Sequence, residues 1–203
     1  MLLEIACFEI TSAETALSSA ADRIELCADG HLGGTTPDIE EFRYLRGKFQ
    51  KPINVMVRPR GGDFYYSDSE FDVMKRSLQD FYNAGADGFV FGILNSNHTI
   101  DEERSAKLLA LAGGRPCTFH RAIDDTPDLD SAFETLIRLG FKTVLTSGGA
   151  KSAVEGKHRL SELVSRFGTQ IDVLLGGGVR SGNIADLREV TGATNFHSSA
   201  ILP

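Results

Sequence analysis

The 203-residue sequence predicts an α/β fold, a TIM-type (β/α)8 barrel of parallel strands. Three observations lead to this prediction. Short runs rich in β-branched and aromatic residues alternate with amphipathic segments along the whole chain. No glycine fingerprint of a dinucleotide-binding sheet follows the first run, and no Pro-, Gly- or Ser-rich linker divides the sequence. The predicted strands cover residues 2–8, 23–28, 53–60, 88–94, 117–122, 143–147, 172–176 and 195–199.

The amphipathic segments between these strands predict seven helices. Ser12 is predicted to cap a first helix over residues 13–21, because a serine hydroxyl can accept a hydrogen bond from an otherwise unpaired amide of the first turn. Asp68, Asp101 and Asp128 open the third, fourth and fifth helices in the same way. Further helical patterns cover residues 160–167 and 184–190.

Eight strands that alternate with helices require a parallel sheet, and a closed barrel accommodates eight of them. A doubly wound sheet is the competing arrangement, but the first strand runs into Cys-Phe-Glu-Ile-Thr at residues 7–11, without glycine. The sequence ends at Pro203, shortly after the eighth strand, so we predict that the final helix is missing or replaced. A single domain is predicted over residues 1–203.

Composition narrows the classes of function. The 28 acidic residues outnumber the 21 basic ones and give a formal net charge of -7, which disfavours nucleic acid and anionic membranes as partners. The apolar runs have the length of strands, and the N-terminus lacks the pattern of a signal peptide. The three cysteines form no disulfide framework and fit a reducing compartment, so a cytoplasmic location is predicted.

The alternation of side chains along each strand predicts which residues point into the barrel. If the more apolar parity faces the helices, then the interior receives Glu4, Glu25, Arg58, His120 and His197, from five different strands. Buried charges are rarely unpaired, so one interpretation is an internal salt-bridge cluster that fills the barrel. The other is a ligand or catalytic site, in which Glu25, Arg58, His120 and His197 act on a bound molecule.

The end of the third strand carries a segment suited to anions. Arg58 and Arg60 flank Pro59 and precede a Gly-Gly turn and Asp63. Guanidinium groups beside a glycine turn favour a carboxylate or a phosphate, which predicts Arg60 and Asp63 as ligand-binding residues. The alternative is that Arg58 forms an internal ion pair with Glu25.

The loops after the later strands are also candidates for anion binding. TIM barrels often hold phosphate after strands seven and eight, where free amides and hydroxyls form a cup. A tight turn without a ligand explains the three glycines as well. The predicted ligand-binding residues in these loops are Ser147, Gly148, Gly176, Gly177, Gly178, Ser198 and Ser199.

Several segments, in order, resemble the CutC copper-homeostasis family. They include Leu-Glu-Ile-Ala-Cys at residues 3–7, Ala-Asp-Arg-Ile-Glu-Leu-Cys at 21–27 and Arg-Pro-Arg-Gly-Gly-Asp-Phe at 58–64. The resemblance continues through Thr-Phe-His-Arg-Ala at 118–122 and Phe-His-Ser-Ser-Ala at 196–200. It implies a TIM-like barrel, a cytoplasmic location and an association with copper handling.

The resemblance also implies copper ligands. Cys7 and Cys27 match the positions at which the family has been proposed to bind copper, and soft thiolates suit Cu(I). The two residues lie at equivalent heights on consecutive strands. The parity argument nevertheless puts Cys27 inside the barrel and Cys7 among the helices. The alternative is that both are small buried apolar residues.

Two functions therefore remain open from the sequence. The first is copper homeostasis, with Cu(I) bound or carried by Cys7 and Cys27. The second is an enzyme or a sensor for a small anionic metabolite, such as a phosphorylated one, bound at the barrel mouth. A homodimer is also predicted, because Phe196 and Leu3 would lack the cover of an eighth helix.

Overall fold

The computed structural model describes residues 1–199 and shows a closed barrel of eight parallel strands, which confirms the predicted fold class. The strands are β1 (Leu2–Cys7), β2 (Arg23–Leu26), β3 (Ile53–Met56), β4 (Gly88–Phe91), β5 (Cys117–Phe119), β6 (Thr143–Thr146), β7 (Asp172–Leu175) and β8 (Asn195–Ser199). Each strand pairs with the next one in the chain, and β8 closes the barrel against β1.

Seven α-helices connect the strands within residues 1–199. They are α1 (Ile10–Ser18), α2 (Ile39–Lys48), α3 (Asp68–Ala84), α4 (Glu102–Leu111), α5 (Leu129–Leu139), α6 (Lys157–Phe167) and α7 (Ile184–Thr191). None of these described helices has the length and the apolar character needed to cross a bilayer. The prediction that an eighth helix is missing or replaced concerns residues after β8, which lie outside the described part.

The starts of α4 and α5 agree with the prediction, whereas α1 and α6 begin earlier and α3 is capped by the residue before Asp68. Asp101 and Asp128 accept hydrogen bonds from first-turn amides, and α3 begins at Asp68 with Ser67 in front of it as the capping residue. The prediction for Ser12 is wrong, because α1 already begins at Ile10 and the Ser12 hydroxyl donates to the carbonyl of Glu9 instead. A short side chain inside the first turn reaches the carbonyl behind it more readily than a free amide.

Strands β3 and β5 end earlier than predicted, and this shapes the barrel mouth. After Val57, the amide of Arg58 leaves the sheet and donates to the Thr36 hydroxyl at 2.9 Å. Pro59 then offers no amide at all, so the ladder cannot continue. On β5, His120 caps a 3₁₀ turn over Arg121–Asp125. Arg58 and His120 therefore stand at strand ends, where loops can bring other groups to them.

Two separate apolar clusters confirm the predicted parity of the strands. Ile24, Leu26 and Val55 belong to a large core between the barrel and the helices. A small second cluster contains Cys27, Met56 of β3 and Val90 of β4. Phe8, in the loop between β1 and α1, packs against it. Polar residues share this inner space, because Glu4, Glu25, Asn54 and His120 are all at most 5% exposed.

One premise of the homodimer prediction does not hold. Phe196 is fully buried within the described chain, where it joins the outer core. Leu3 and Ile5 are half-buried and pack against the same core. The apolar patch on β1 and β8 is therefore smaller than the sequence indicated.

Candidate metal and ligand sites in the barrel

A buried acid–histidine cluster lies where β1, β2 and β8 meet. Glu4 is fully buried, and its carboxylate receives hydrogen bonds from Arg23 at 2.5 Å and from Asn54 at 3.2 Å. Its other oxygen lies 2.8 Å from Nδ1 of His197. The strand register explains this contact, since Glu4 stands beside Arg23 on one side and beside His197 on the other.

Glu25 completes the cluster, but its carboxylate accepts fewer hydrogen bonds than that of Glu4. Its Oε1 accepts from the thiol of Cys27 at 3.2 Å, while its Oε2 is buried without a hydrogen-bond partner among the described residues. Ligand atoms of Glu4, Glu25 and His197 lie within 4.8 Å of one another. Two carboxylates and an imidazole at this spacing form a donor set that fits a metal ion.

The three side chains of this cluster shift one another's pKa values. Burial alone would raise the pKa of Glu4, but the hydrogen bond and charge of His197, together with Arg23, hold it below its ordinary value. Burial raises the pKa of Glu25, and the nearby charge of Glu4 adds to the rise. For His197, burial favours the neutral form, yet the charge of Glu25 and the bond to Glu4 raise its pKa.

The two candidate copper cysteines lie in different layers. Cys7 belongs to the outer core, whereas Cys27 belongs to the small cluster inside the barrel. Burial raises the pKa of the Cys7 thiol to about 12, and burial with the charge of Glu25 raises that of Cys27 well above its ordinary value. A joint site for both thiols does not fit this geometry without a rearrangement of the wall, and it stays a prediction.

Arg58 points its side chain toward the loops after β2 and β3 rather than toward Glu25. Its Nη1 donates to the carbonyls of Leu32 and Gly34 at 2.9 and 3.0 Å, and its Nη2 donates to Gly62 at 2.7 Å. The alternative of an Arg58–Glu25 ion pair is not realised: none of the described salt bridges joins the two residues, because carbonyls hold the guanidinium. The guanidinium also lies 4.9 Å from the centre of the Phe64 ring.

Arg60 and Asp63 form a loop clamp. Arg60 donates to the carboxylate of Asp63 at 2.9 Å, to Glu70 at 2.6 Å and to the carbonyl of Tyr65 at 2.9 Å. These contacts fix the segment between β3 and α3. The predicted role of Arg60 and Asp63 in binding a ligand stays a prediction, and in this structure they bind each other.

His120 is buried beneath the same segment. Its Nδ1 accepts from the amide of Ala122 at 3.2 Å, and its ring centre lies 4.9 Å from that of Phe64. Its Nε2 is buried without a partner among the described residues. Burial, reinforced by the charge of Arg58, lowers the pKa of His120 to about 3, so the ring is neutral at physiological pH.

The loop after β6 already holds a carboxylate of the protein itself. The amides of Ser147 and Gly149 donate to Asp124 at 3.1 and 3.0 Å, and the Gly148 amide donates to the Thr146 hydroxyl. Arg121 closes the group from the other side by an ion pair with Asp124 at 2.8 Å. These amides are thus not free for an external anion, and the ligand role of Ser147 and Gly148 stays a prediction.

Arg180 joins the loop after β7 to the end of β8. Its guanidinium donates to the hydroxyls of Ser198 and Ser199 at 3.3 and 3.0 Å. Gly176 donates into the sheet, whereas the amides of Gly177 and Gly178 have no hydrogen-bond partner within residues 1–199. Both Gly177 and Gly178 have positive φ angles, 91° and 76°, which turn this loop sharply at the mouth.

Comparison with known proteins identifies the family. The model of the CutC family matches residues 1–202. The chain belongs to the CutC family. Among its relatives is the human "Copper homeostasis protein cutC homolog", which is 44% identical over 98% of this chain and 73% of the human one. A CutC family protein from Chromobacterium violaceum is 40% identical over 98% of this chain and 81% of its own.

Solved structures agree with this membership. A CutC protein from Streptococcus agalactiae superposes on the chain with a TM-score of 0.91 and 32% identity, over 98% of both chains. Deoxyribose phosphate aldolase from Aeropyrum pernix has a TM-score of 0.70 at 17% identity, over 98% of this chain and 85% of the aldolase. At that identity the likeness shows a shared barrel fold and nothing about the reaction.

Four residues at the candidate sites of this CutC protein were not predicted from the sequence to contribute to a site. They are Asp124, Arg121, Arg180 and Tyr66. Asp124 and Arg121 follow β5 in a polar turn, and Arg180 follows the glycine loop of β7. A basic residue directly after a glycine loop is a signal that would have found Arg180.

A surface cleft of about 640 Å³ lies outside the barrel mouth of this CutC protein. It runs between the starts of α4 and α5 and contains none of the predicted site residues. Acidic side chains line much of it, so it repels the anions considered above. The charged lining residues are Asp101, Glu102, Glu103 and Asp128.

Proposed function

We propose that this CutC protein takes part in copper homeostasis and binds a copper ion inside its barrel through Cys27, Glu25 and His197. The spacing of the buried cluster carries the proposal, since the ligand atoms of Glu4, Glu25 and His197 lie within 4.8 Å of one another. The unpartnered Oε2 of Glu25 supports it, because a buried carboxylate oxygen without a donor is rare unless something else binds it. The names of the human and mouse relatives supply copper as the ion.

The donor chemistry is compatible with copper as cargo. A thiolate and an imidazole suit Cu(I), and the carboxylates offset its positive charge. The contact between Glu4 and Nδ1 of His197 resembles the carboxylate–histidine pairs that orient metal-binding imidazoles. In this arrangement Glu4 positions His197 and leaves Nε2 for the ion.

Cys27 rather than Cys7 supplies the thiol in this proposal. Cys27 lies within hydrogen-bond distance of Glu25, whereas the Cys7 thiol faces the outer core and contacts the carbonyl of Ile5 at 3.6 Å. Both side chains are almost fully buried and of identical size. Alanine variants of the two are therefore a matched pair.

The test is an anaerobic Cu(I) titration against a competing chelator. Cys27→Ala is expected to weaken binding at least about tenfold, the lower end of what even outer-shell changes produce at metal sites. Cys7→Ala and Cys117→Ala are expected to bind like the wild type. Equal losses in Cys7→Ala and Cys27→Ala would favour the two-thiolate site, and a wild type that binds no copper would overturn the proposal.

A second candidate function is the binding of a small phosphorylated metabolite, as enzyme or sensor, at Gly177, Gly178, Ser198 and Ser199. The observation that favours it is Arg180, which donates to both serines beside loop amides that have no partner in the described part of the chain. Inorganic phosphate is then expected to raise the melting temperature of the wild type by mass action on the folded state, and Arg180→Ala to abolish the rise. An equal rise in Arg180→Ala would exclude this site.

Two further features belong to the proposal. The protein acts in the cytoplasm, where a reducing environment keeps its three free cysteines reduced. It forms a homodimer through the half-buried residues Leu3 and Ile5 of β1. Light scattering at high micromolar concentration checks the dimer, and a monomer there would contradict it.

A further inference from the structure

Buried polar atoms without partners concentrate at one place in this barrel. Five buried side-chain nitrogen or oxygen atoms have no hydrogen-bond partner among the described residues. One is Glu25 Oε2 and one is Ser105 Oγ. The other three are Arg58 Nε, the Tyr66 hydroxyl and His120 Nε2, which lie at the ends of β3 and β5 and in the loop that follows β3.

Phe64 lies beside two of these three groups, Arg58 and His120. The guanidinium of Arg58 lies 4.9 Å from the centre of the Phe64 ring, and the His120 ring lies 4.9 Å from it on centres. The charge of Arg58 also reaches both other groups, since it opposes the rise that burial causes in the pKa of Tyr66 and adds to the fall in that of His120. The three side chains are between 1% and 5% exposed.

All three free atoms offer protons. Because Nδ1 of His120 accepts from the Ala122 amide, the single proton of the neutral ring lies on Nε2. Three of the five N–H groups of Arg58 donate to carbonyls, which leaves Nε–H and one N–H of Nη2 as donors. The Tyr66 hydroxyl is the third. A buried donor without an acceptor destabilises a fold, and three in one neighbourhood indicate an acceptor that binds there.

We propose that Arg58, Tyr66 and His120 form a binding site for the carboxylate group of a small ligand. A carboxylate has two oxygens with about four acceptor positions, and it matches three donors and one positive charge. A water molecule fits less well, because it needs acceptors for its own protons, and the tyrosine oxygen is the one acceptor among the three. A phosphate fits less well, because it carries roughly two negative charges against the single positive charge of Arg58.

This site is independent of the copper cluster. Arg58 makes no ion pair with Glu25 among the described residues, and its contacts lie in the loops after β2 and β3. The clamp of Arg60 on Asp63 and Glu70 holds the loop that carries Phe64 and Tyr66 in position. Failure of copper binding would therefore leave this inference standing.

The experiment uses the full-length, metal-free protein and follows binding by calorimetry. The probes are acetate, pyruvate and succinate at millimolar concentration, with chloride at matched ionic strength and inorganic phosphate as comparisons. At least one carboxylate is expected to bind the wild type. Tyr66→Phe is expected to weaken that binding about tenfold, the size of one hydrogen bond to a charged group.

The variants keep the test independent of folding. Tyr66→Phe removes a hydroxyl that has no well-formed hydrogen bond within residues 1–199, so the fold is expected to keep its stability. His120→Asn retains an acceptor for the Ala122 amide, removes the Nε2 donor and is expected to weaken binding similarly. Tyr65→Phe is the control, because Tyr65 is the adjacent residue in the sequence and its side chain is 57% exposed. This variant is expected to bind the carboxylate like the wild type.

Three results would overturn the inference. The first is that no carboxylate probe binds the wild type. The second is that Tyr66→Phe and His120→Asn bind the carboxylate as tightly as the wild type does. The third is that phosphate, and not a carboxylate, loses affinity in these two variants.

Discussion

The amide of Cys27 donates to the carbonyl of Cys7 at 2.9 Å, yet the thiols of these residues lie in different layers. Neighbouring strands are close enough for their backbones to bond while their side chains point to opposite faces of the sheet. Cys7 stands opposite Leu26, which also faces the helices. Although its amide is bonded to Cys7, Cys27 therefore points its thiol into the barrel interior. There it lies beside Glu25.

Glu4 is expected to be the main stabilising anion of the barrel interior. Glu4→Gln keeps the size of the side chain but removes the negative charge that faces Arg23 and His197. We expect the free energy of unfolding to fall by about 3 kcal/mol, because breaking a buried ion pair leaves its partner uncompensated. Urea unfolding at pH 7 measures the change. Glu9→Gln, at an exposed position, is the control, and equal stability of the two variants would contradict this role.

Asp124 is expected to stabilise the loop that follows β6. Its side chain is 7% exposed and accepts from the amides of Ser147 and Gly149 and from Arg121. Asp124→Ala would leave these donors unpaired and is expected to lower the free energy of unfolding by about 3 kcal/mol. Asp125→Ala, an exposed neighbour, should change it by less than about 0.5 kcal/mol. A loss below 1 kcal/mol in Asp124→Ala would show that water replaces the carboxylate.

His120 predicts a specific dependence of stability on pH. Its pKa is about 3 in the folded protein, where it is buried beside Phe64 and near the charge of Arg58, against about 6.5 in an unfolded chain. Below about pH 6.5 the unfolded chain therefore binds a proton that the folded protein does not, and stability falls as the pH falls toward 3. The slope from this one group is at most about 1.4 kcal/mol per pH unit.

His120→Asn isolates this contribution, since the other titrating groups remain. Denaturant unfolding between pH 7 and pH 5 is expected to show a shallower decline for His120→Asn than for the wild type. If the free energy of unfolding falls equally steeply with pH in both proteins, His120 has a similar pKa in the folded and the unfolded chain. That result would contradict the pKa lowered by burial.

The sequence could predict the barrel and the direction of its strand residues, because both follow from local periodicity. Period-two alternation placed Glu25 and His197 inside, and the two apolar clusters confirm that parity. The same rule separated Cys27 from Cys7. Local patterns of this kind depend on neighbours along the chain, which the sequence lists in order.

The contacts of the mouth depend on partners far away in the sequence. Asp124 binds the amide of Ser147, 23 residues later, and no spacing rule connects them. An ion pair of Arg58 with Glu25 was one alternative from the sequence, but the carbonyls of Leu32, Gly34 and Gly62 hold the guanidinium in the folded loops. A backbone carbonyl leaves no signature in the sequence, so such partners could not be foreseen.

The most direct test of the copper site is X-ray absorption at the copper edge, on protein loaded anaerobically with one equivalent of Cu(I). The proposal predicts one sulfur neighbour together with nitrogen and oxygen neighbours. It also predicts that Cys7→Ala leaves the spectrum unchanged and that Cys27→Ala removes the sulfur. Two sulfur neighbours in the wild type, or a sulfur lost in Cys7→Ala, would contradict a site built on Cys27, Glu25 and His197.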